Sequence, residues 1–322
     1  MNTTVQTRAT VPAIGATISE KAAAAVDLFA NSQDIKNSSR ELYARTLKAF
    51  FVWVSQSGRT PAALTLADLI TYKNELLECG KSSLTVASYC NSVRRFYEWA
   101  EANKIYPNIG KGLHAPKRKQ AFRKQPLTVP QVGELLQYEH EQTPRDYAIV
   151  NLLVRTGLRC VEVVRANVGD ITYKGGQRVL LVQGKGRDEK DNFVILTDAA
   201  YYPIRAYLDT RAGLCDGSPL FASQSNRNTG GRLTTRAVSM IAKNGLKNVG
   251  LDNRVFTAHS LRHTAAVNIL RAGGTLEQVQ FALRHTNPAT TQIYTATLRE
   301  EQRLTNGGET LLDSLYNAAF AV

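Results

Sequence analysis

The chain has 322 residues, enough for two domains of roughly 100–200 residues each. With 43% apolar and 21% charged residues it can bury an ordinary core, which excludes a disordered or fibrous chain, and no apolar run approaches the roughly 18 residues of a membrane span. Forty Lys and Arg against 27 Asp and Glu leave a net charge of +13, which favours a polyanionic partner, nucleic acid before an acidic membrane surface. No basic segment, apolar stretch and small-residue cleavage site open the chain, so a cytoplasmic location is expected. Cys79, Cys90, Cys160 and Cys215 lie far apart with no CxxC pair and read as buried or incidental thiols rather than a zinc site or disulfide framework.

Residues 1–18 are rich in Thr and Ala and read as a loose tail. Helical periodicity then predicts four helices. The first runs from about Ser19 to Ala30. The second starts at Ser38 with Glu41 completing a capping box and stops at Gly58. The third runs from Thr65 to Cys79 with Asp68 at the capping position, and the fourth opens at Ser82. Residues 19–110 are therefore expected to form a small helical bundle. Residues 111–126 are expected to be a basic, extended linker. In and around it Lys111, Lys117, Arg118, Lys119, Arg123 and Lys124 occur without an acid among them, as either a solvated hinge or a DNA-backbone contact.

The second domain, 127–306, begins with Thr128 capping a helix whose first turn holds Pro130. An apolar segment from Arg145 to Arg155 ends at Gly157, where a short helix follows. Strand patterns cover Ile171–Tyr173, Arg178–Val182 and Phe193–Leu196, separated by Gly175-Gly176 and by the loop GKGRDEKDN. Helices return at about Asp198–Arg211, Thr234–Asn248, His259–Ala272, Thr275–Leu283 and Pro288–Ala296. A final segment, 307–322, is an amphipathic stretch behind a glycine hinge. The expected fold class is mainly α with one small antiparallel β-sheet: a helical bundle followed by an α+β domain.

There is no GxxxxGK[ST] loop, HExxH or GxSxG, and no paired Cys or His at metal-ligand spacing, so no cofactor or metal is expected. What remains is a series of basic residues at turns and helix starts. Arg159 lies in RTGLRCVEV and Lys185 between glycines at the tip of a hairpin. His259, Arg262 and His263 share TAHSLRHT, and His285 and Tyr294 share LRHTNPATTQIY. Each fragment alone is weak.

In this order they resemble the tyrosine recombinase (phage integrase) family. Its pattern is an Arg in a TGLR turn with an acid three residues on, a Lys in a GKG hairpin, an HxxRH helix start, a His or Trp, and a nucleophilic Tyr. The matches are Arg159 with Glu162, Lys185, His259 with Arg262 and His263, His285, and Tyr294. The resemblance covers essentially the whole chain, because family members precede the catalytic domain with a four-helix core-binding domain. It implies a site-specific recombinase that cleaves and rejoins DNA through a 3′-phosphotyrosyl intermediate.

The chemistry of the matched residues is coherent with that implication. Two permanently charged, forked guanidiniums, Arg159 and Arg262, suit the non-bridging phosphate oxygens on which negative charge gathers. A free tyrosine titrates near 10, so the attacking hydroxyl needs nearby cations or a base, for which His259 is the candidate. His285 can donate a hydrogen bond to the phosphate, and Lys185 can protonate the leaving 5′ oxygen. Glu162 and His263 are supporting residues. Lys190 competes with Lys185, and Tyr316 with Tyr294, less well in each case. The family usually has LGH where this chain has LRH, so Arg284 replaces a glycine, either as a further phosphate contact or as a solvent-facing side chain.

The implied partners are double-stranded DNA with inverted half-sites and further copies of the chain in a tetramer on DNA. An accessory protein and exchange of 307–322 between subunits stay open. Within the family an integrase of a mobile element is the leading expectation and a Xer-type dimer resolvase its alternative. From other classes, a non-catalytic DNA-binding protein of the same fold and a metal-dependent nuclease remain as rivals.

Overall fold

A computed structural model describes residues 19–117, 124–184, 187–305 and 307–320. The chain divides into two compact units, Met1–Ala121 and Phe122–Val322. The first is a bundle of α1 (Glu20–Ser32), α2 (Asn37–Gln56), α3 (Leu66–Glu78) and α4 (Ser83–Ala102). Local chemistry sets the helix starts: Ser19 Oγ accepts the Ala22 N–H, Ser82 Oγ accepts the Thr85 N–H, and Thr65 and Asp68 form a reciprocal capping box.

Helix α2 departs from expectation. It begins at Asn37, with Lys36 at the cap position and no side-chain cap, so Ser38 lies inside the first turn and forms no capping box with Glu41. The Lys36 carbonyl accepts the Ser39 and Arg40 N–H groups, a backbone-only start that no side chain announces.

The bundle closes on Phe29, Leu47, Phe50, Leu69, Val86 and Cys90, all fully buried. Phe50 is its centre: the rings of Phe51, Trp53, Tyr72 and Tyr97 lie 5.1–6.5 Å from it. A buried hydrogen bond of 2.7 Å from Thr46 to Ser92 joins α2 to α4.

The second unit starts with α5 (Val129–His140), capped reciprocally by Thr128 and Gln131, and α6 (Pro144–Thr156), capped by Thr143. Helix α6 ends at Gly157 with φ +61°, and a Cβ there would sit 2.6 Å from Leu283 Cδ2. Glycine is required on both counts. After α7 (Cys160–Arg165) come β1 (Ile171–Lys174), β2 (Gln177–Val182) and β3 (Asn192–Ile195), an antiparallel sheet in that order with Ile171 opposite Leu180 and Phe193 opposite Leu181. Gly175 and Gly176, both with positive φ, make the β1–β2 turn.

Helices α8 (Asp198–Asp209), α9 (Thr235–Asn248), α10 (Ala258–Arg271), α11 (Leu276–Leu283), α12 (Ala289–Thr305) and α13 (Gly308–Phe320) follow. One core joins α5, α6, the sheet, α8, α9 and the start of α10. A smaller cluster of Ala266, Val267, Val279, Leu283 and Tyr294 binds α10, α11 and α12.

Helix α12 runs past Ala296 to Thr305. No Gly or Pro interrupts it, and Arg271 holds Glu301 at 2.7 Å, fastening its later turns to α10. Helix α13 buries no residue, leaving Leu311, Leu315, Tyr316 and Phe320 exposed.

Because Phe50 is fully buried among four rings, Phe50→Ala should destabilise the bundle by about 3–5 kcal/mol. Chemical denaturation of the full chain, followed by Trp53 and Trp99 fluorescence, checks this; a loss below about 1 kcal/mol would contradict the packing.

Candidate active site

Two helix ends carry the site. The Gly157 turn places Arg159 at the start of α7, where Glu162 folds back on it: Arg159 donates its backbone N–H to Glu162 Oε2 at 2.8 Å and its guanidinium to Oε1 at 2.9 Å. Arg159 stays about one-third exposed while the Glu162 side chain is wholly buried. The guanidinium can thus face a ligand from a fixed base.

The end of α11 supplies the second wall. Arg284 is its C-cap, in the left-handed conformation at φ +57°, which costs a non-glycine residue on the order of 1 kcal/mol. Its side chain is 5% exposed and donates to Glu162 Oε2 at 2.8 Å and to the Ala282 carbonyl at 2.6 Å. Of the two expectations for this residue the solvent-facing one fails: the side chain is buried against a carboxylate inside the protein, at the wall of the cavity described below. Burial alone would raise the Glu162 pKa; the charge of Arg284, then the Arg159 N–H and the charges of Arg159 and Arg262, outweigh it and hold the carboxyl below the usual range.

Helix α10 contributes three residues. Arg262 is 2% exposed and donates to the carbonyls of Gly157 and Leu283, the last residues of two helical turns. Burial, then repulsion by Arg159 and Arg284, pushes its pKa down to about 9, which leaves it charged at neutral pH. His259 is exposed; desolvation by the surrounding protein, then the cations of Arg262, Arg159 and Lys124, holds it below the ordinary imidazole range. His263 is buried inside the helix with its ring 5.0 Å from that of Tyr294.

Tyr294, on α12, is 4% exposed. Burial raises its pKa, against the pull of the Arg262 and Arg159 charges and a hydrogen bond with Arg262. His285 also stacks on it, ring centroids 6.1 Å apart and planes 10° apart. The His285 Nδ1 is 2.9 Å from the hydroxyl of Thr291, which is itself fully buried. Burial, then the three arginines Arg262, Arg159 and Arg284, lowers His285 to about 4, so the ring is neutral near pH 7. A cavity of about 330 Å³ lies against this group, lined by Arg159, Glu162, Arg187, Arg284, His285 and Thr290 among others.

The structure therefore brings together Arg159, Glu162, Arg262, His263, His285 and Tyr294, with His259 near enough to feel the arginine charges. Lys185, Arg118, Lys119 and Arg123 lie outside the described residues. The competing lysine, Lys190, is held by both oxygens of Asp170 at 2.5–2.6 Å, which removes it as a free acid. Lys111 and Lys117 are exposed, and Lys124 donates to the Arg254 carbonyl at 2.6 Å on the second unit's own surface. Thr291 is not among the residues that the sequence motifs single out; its position one turn before Tyr294 on the same helix face is its one sequence signal.

Residues 125–301 match the phage integrase family, and residues 26–104 match the phage integrase N-terminal SAM-like domain. The chain belongs to the phage integrase family. Among curated proteins this family member is 34% identical over 222 residues to tyrosine recombinase XerC of Corynebacterium glutamicum, covering 67% of this chain and 68% of that one. It is 30% identical over 267 residues to tyrosine recombinase XerD of Yersinia pestis, covering 81% and 87%.

Among solved structures, XerH recombinase bound to a palindromic difH substrate in a post-cleavage complex superposes with a TM-score of 0.69 at 20% identity, covering 83% of this chain and 79% of that one. A lambda integrase dimer bound to a COC′ core site gives 0.66 at 18% identity, covering 84% and 76%. The expected mainly helical fold with its small antiparallel sheet is thus the tyrosine recombinase fold. The recombinase is an enzyme of site-specific DNA cleavage and religation.

A buried neutral imidazole makes stability depend on pH. Burial, then His259 and Arg271, depresses His263 to about 4, against about 6.5 for an unfolded chain. A depressed group contributes stability that is fully present above the unfolded value, here about pH 6.5, and is lost as pH falls towards about 4. The loss attached to His263 should be on the order of 3 kcal/mol. Denaturation midpoints between pH 7.5 and 4 should fall steadily for the wild type and less steeply for His263→Asn; parallel curves would remove His263 as the cause.

Proposed function

We propose that this recombinase acts through Tyr294 on duplex DNA as a Xer-type resolvase that separates joined DNA circles. The observation that carries the catalytic assignment is the placement of Tyr294. It is a buried hydroxyl hydrogen-bonded with Arg262, its ring in contact with two imidazoles and within the field of Arg159, which is held on a fixed base. Arg159 and Arg262 hold the non-bridging oxygens of the scissile phosphate. His285 donates to the same phosphate, and His259, neutral and exposed, takes the tyrosine proton.

The phenolic oxygen then bonds to phosphorus as the bond to the 5′ oxygen breaks, and Lys185 supplies the proton to that leaving oxygen. The phosphotyrosyl ester retains the energy of the broken phosphodiester, so attack by a 5′ hydroxyl of a second duplex reverses the step without ATP. Residues 19–110 serve as a core-binding domain and 127–306 as the catalytic domain. Lys111, Lys117, Arg118, Lys119, Arg123 and Lys124 run along the DNA backbone, and binding is salt-sensitive.

The Xer reading is favoured over a mobile-element integrase because the curated relatives at 30–34% identity carry Xer names. The likeness to a transposon integrase, at 18% identity, supports the shared fold alone. Self-association is supported by α13, whose apolar residues Leu311, Leu315, Tyr316 and Phe320 are exposed among the described residues. A groove of about 580 Å³ lined by Phe193, Ile195, Ile269 and Phe281 among others is an apolar surface able to receive such a helix from another copy.

The test is covalent trapping. Supercoiled plasmids carrying the gene's own genome in fragments are incubated with the recombinase in EDTA and quenched with detergent. Protein attached to a 3′ DNA end is then collected, with Tyr294→Phe in parallel. The adduct should form in EDTA and vanish in the variant. One that persists in Tyr294→Phe overturns the nucleophile, and binding without any adduct favours a non-catalytic DNA-binding protein. Junctions at one chromosomal site remote from the gene fit a resolvase; junctions in the DNA flanking the gene favour an integrase instead.

A further inference from the structure

The Arg284 side chain sits where a glycine would meet the left-handed backbone without strain. The conformation, φ +57°, is one of only two positive-φ positions occupied by a non-glycine residue among the described residues. Strain of this kind persists where the surroundings over-determine it. Here the surroundings are a wholly buried carboxylate. Glu162 Oε1 receives the Arg159 guanidinium, while Oε2 receives the Arg159 N–H and the Arg284 guanidinium.

Without Arg284, Arg159 would be the carboxylate's only directly paired cation among the described residues, and its charge would be correspondingly spent on Glu162. With Arg284 present, one negative charge is shared between two guanidiniums a few ångströms apart. The field of Arg159 towards the cavity is then less cancelled. Arg284 Nε is buried with no hydrogen-bond acceptor among the described residues, so the side chain is held by its two terminal nitrogens and is unlike a guanidinium placed to grip a ligand.

We propose that Arg284 is a positioning residue for cleavage: it pins the second oxygen of Glu162, so that Arg159 is both fixed and left charged towards the scissile phosphate. This rests on the assignment of Arg159 to that phosphate. The effect is electrostatic and reaches His285 as well, since Arg284 is one of the cations that keep that ring neutral.

Two measurements test it. In the first, DNA carrying the junction mapped from the wild-type adduct is cleaved under single-turnover conditions by Arg284→Gly, Arg284→Lys, Glu162→Gln and the double variant Arg284→Gly/Glu162→Gln. Arg284→Gly relieves the backbone strain and is the variant most certain to fold. It should cleave about 10- to 100-fold more slowly, on the scale of other residues that orient a functional group, while binding DNA within about twofold and with an unchanged salt dependence. Arg284→Lys should recover part of the rate. Adding Glu162→Gln to Arg284→Gly should cost less than it does in the wild type, because the two act through one contact.

Cleavage by Arg284→Gly at the wild-type rate overturns the proposal. So does weakened binding with a shallower salt dependence, which would make Arg284 a phosphate contact. The second measurement needs no DNA. Nuclear magnetic resonance titration of His285 should show its pKa rising from about 4 in Arg284→Gly, and an unmoved titration overturns the electrostatic link. Absence of any wild-type adduct, with the titration still shifted, would count against the cleavage reading while supporting the Arg284–Glu162 coupling.

Discussion

The site depends on one side chain that is 2% exposed. Arg262 donates to the carbonyls of Gly157 and Leu283, at the C-terminal ends of α6 and α11. Unpaired carbonyls at a helix end carry partial negative charge, so a buried cation there is stabilised by two dipoles at once. The chain then leaves each end in a defined direction. Arg159 follows Gly157 by two residues and His285 follows Leu283 by two, so a single guanidinium sets both walls of the cavity. Gly157 is part of the same joint: its missing Cβ lets Leu283 pack against the end of α6. Removing Arg262 would therefore disturb the placement of groups it never touches.

The charges around this joint are unbalanced by design of position. Arg159, Arg262 and Arg284 converge on the carboxylate of Glu162, and among these four groups the excess is positive. Such an excess disfavours further protonation nearby, which is why burial and these arginines together keep His285 neutral. In the proposed reaction the scissile phosphate restores the balance. Tyr294 sits in the same field but is also buried, and burial wins: its hydroxyl keeps its proton in the free protein.

Much of this was legible in the residues. The capping oxygens of Ser19, Thr65, Ser82 and Thr128 and the glycine pair at 175 and 176 announce their elements locally. The order of Arg159, Arg262, His285 and Tyr294 announces the family. The rest was hidden for physical reasons. The start of α2 has no side-chain cap, and the later turns of α12 are tied to α10 by a tertiary ion pair from Arg271 to Glu301. Arg284 is the clearest case. An arginine in place of glycine reads as a surface charge in one dimension. Its burial follows only when Glu162, 122 residues earlier in the chain, is folded against it.

The neutral state of His285 also assigns a task to Thr291. A neutral imidazole carries one N–H, and which nitrogen holds it follows from what the other nitrogen meets. The Nδ1 of His285 lies 2.9 Å from the Thr291 hydroxyl. That hydroxyl is able to donate, and when it does the ring proton resides on Nε2 and is free to be given to a phosphate. Thr291 stands one helical turn before Tyr294 on α12. In the proposed reaction the nucleophile and the group that sets the neighbouring histidine's tautomer therefore ride on the same helix, so any displacement of α12 that withdraws Tyr294 also withdraws the Thr291 hydroxyl, and attack and phosphate hydrogen bonding are lost together.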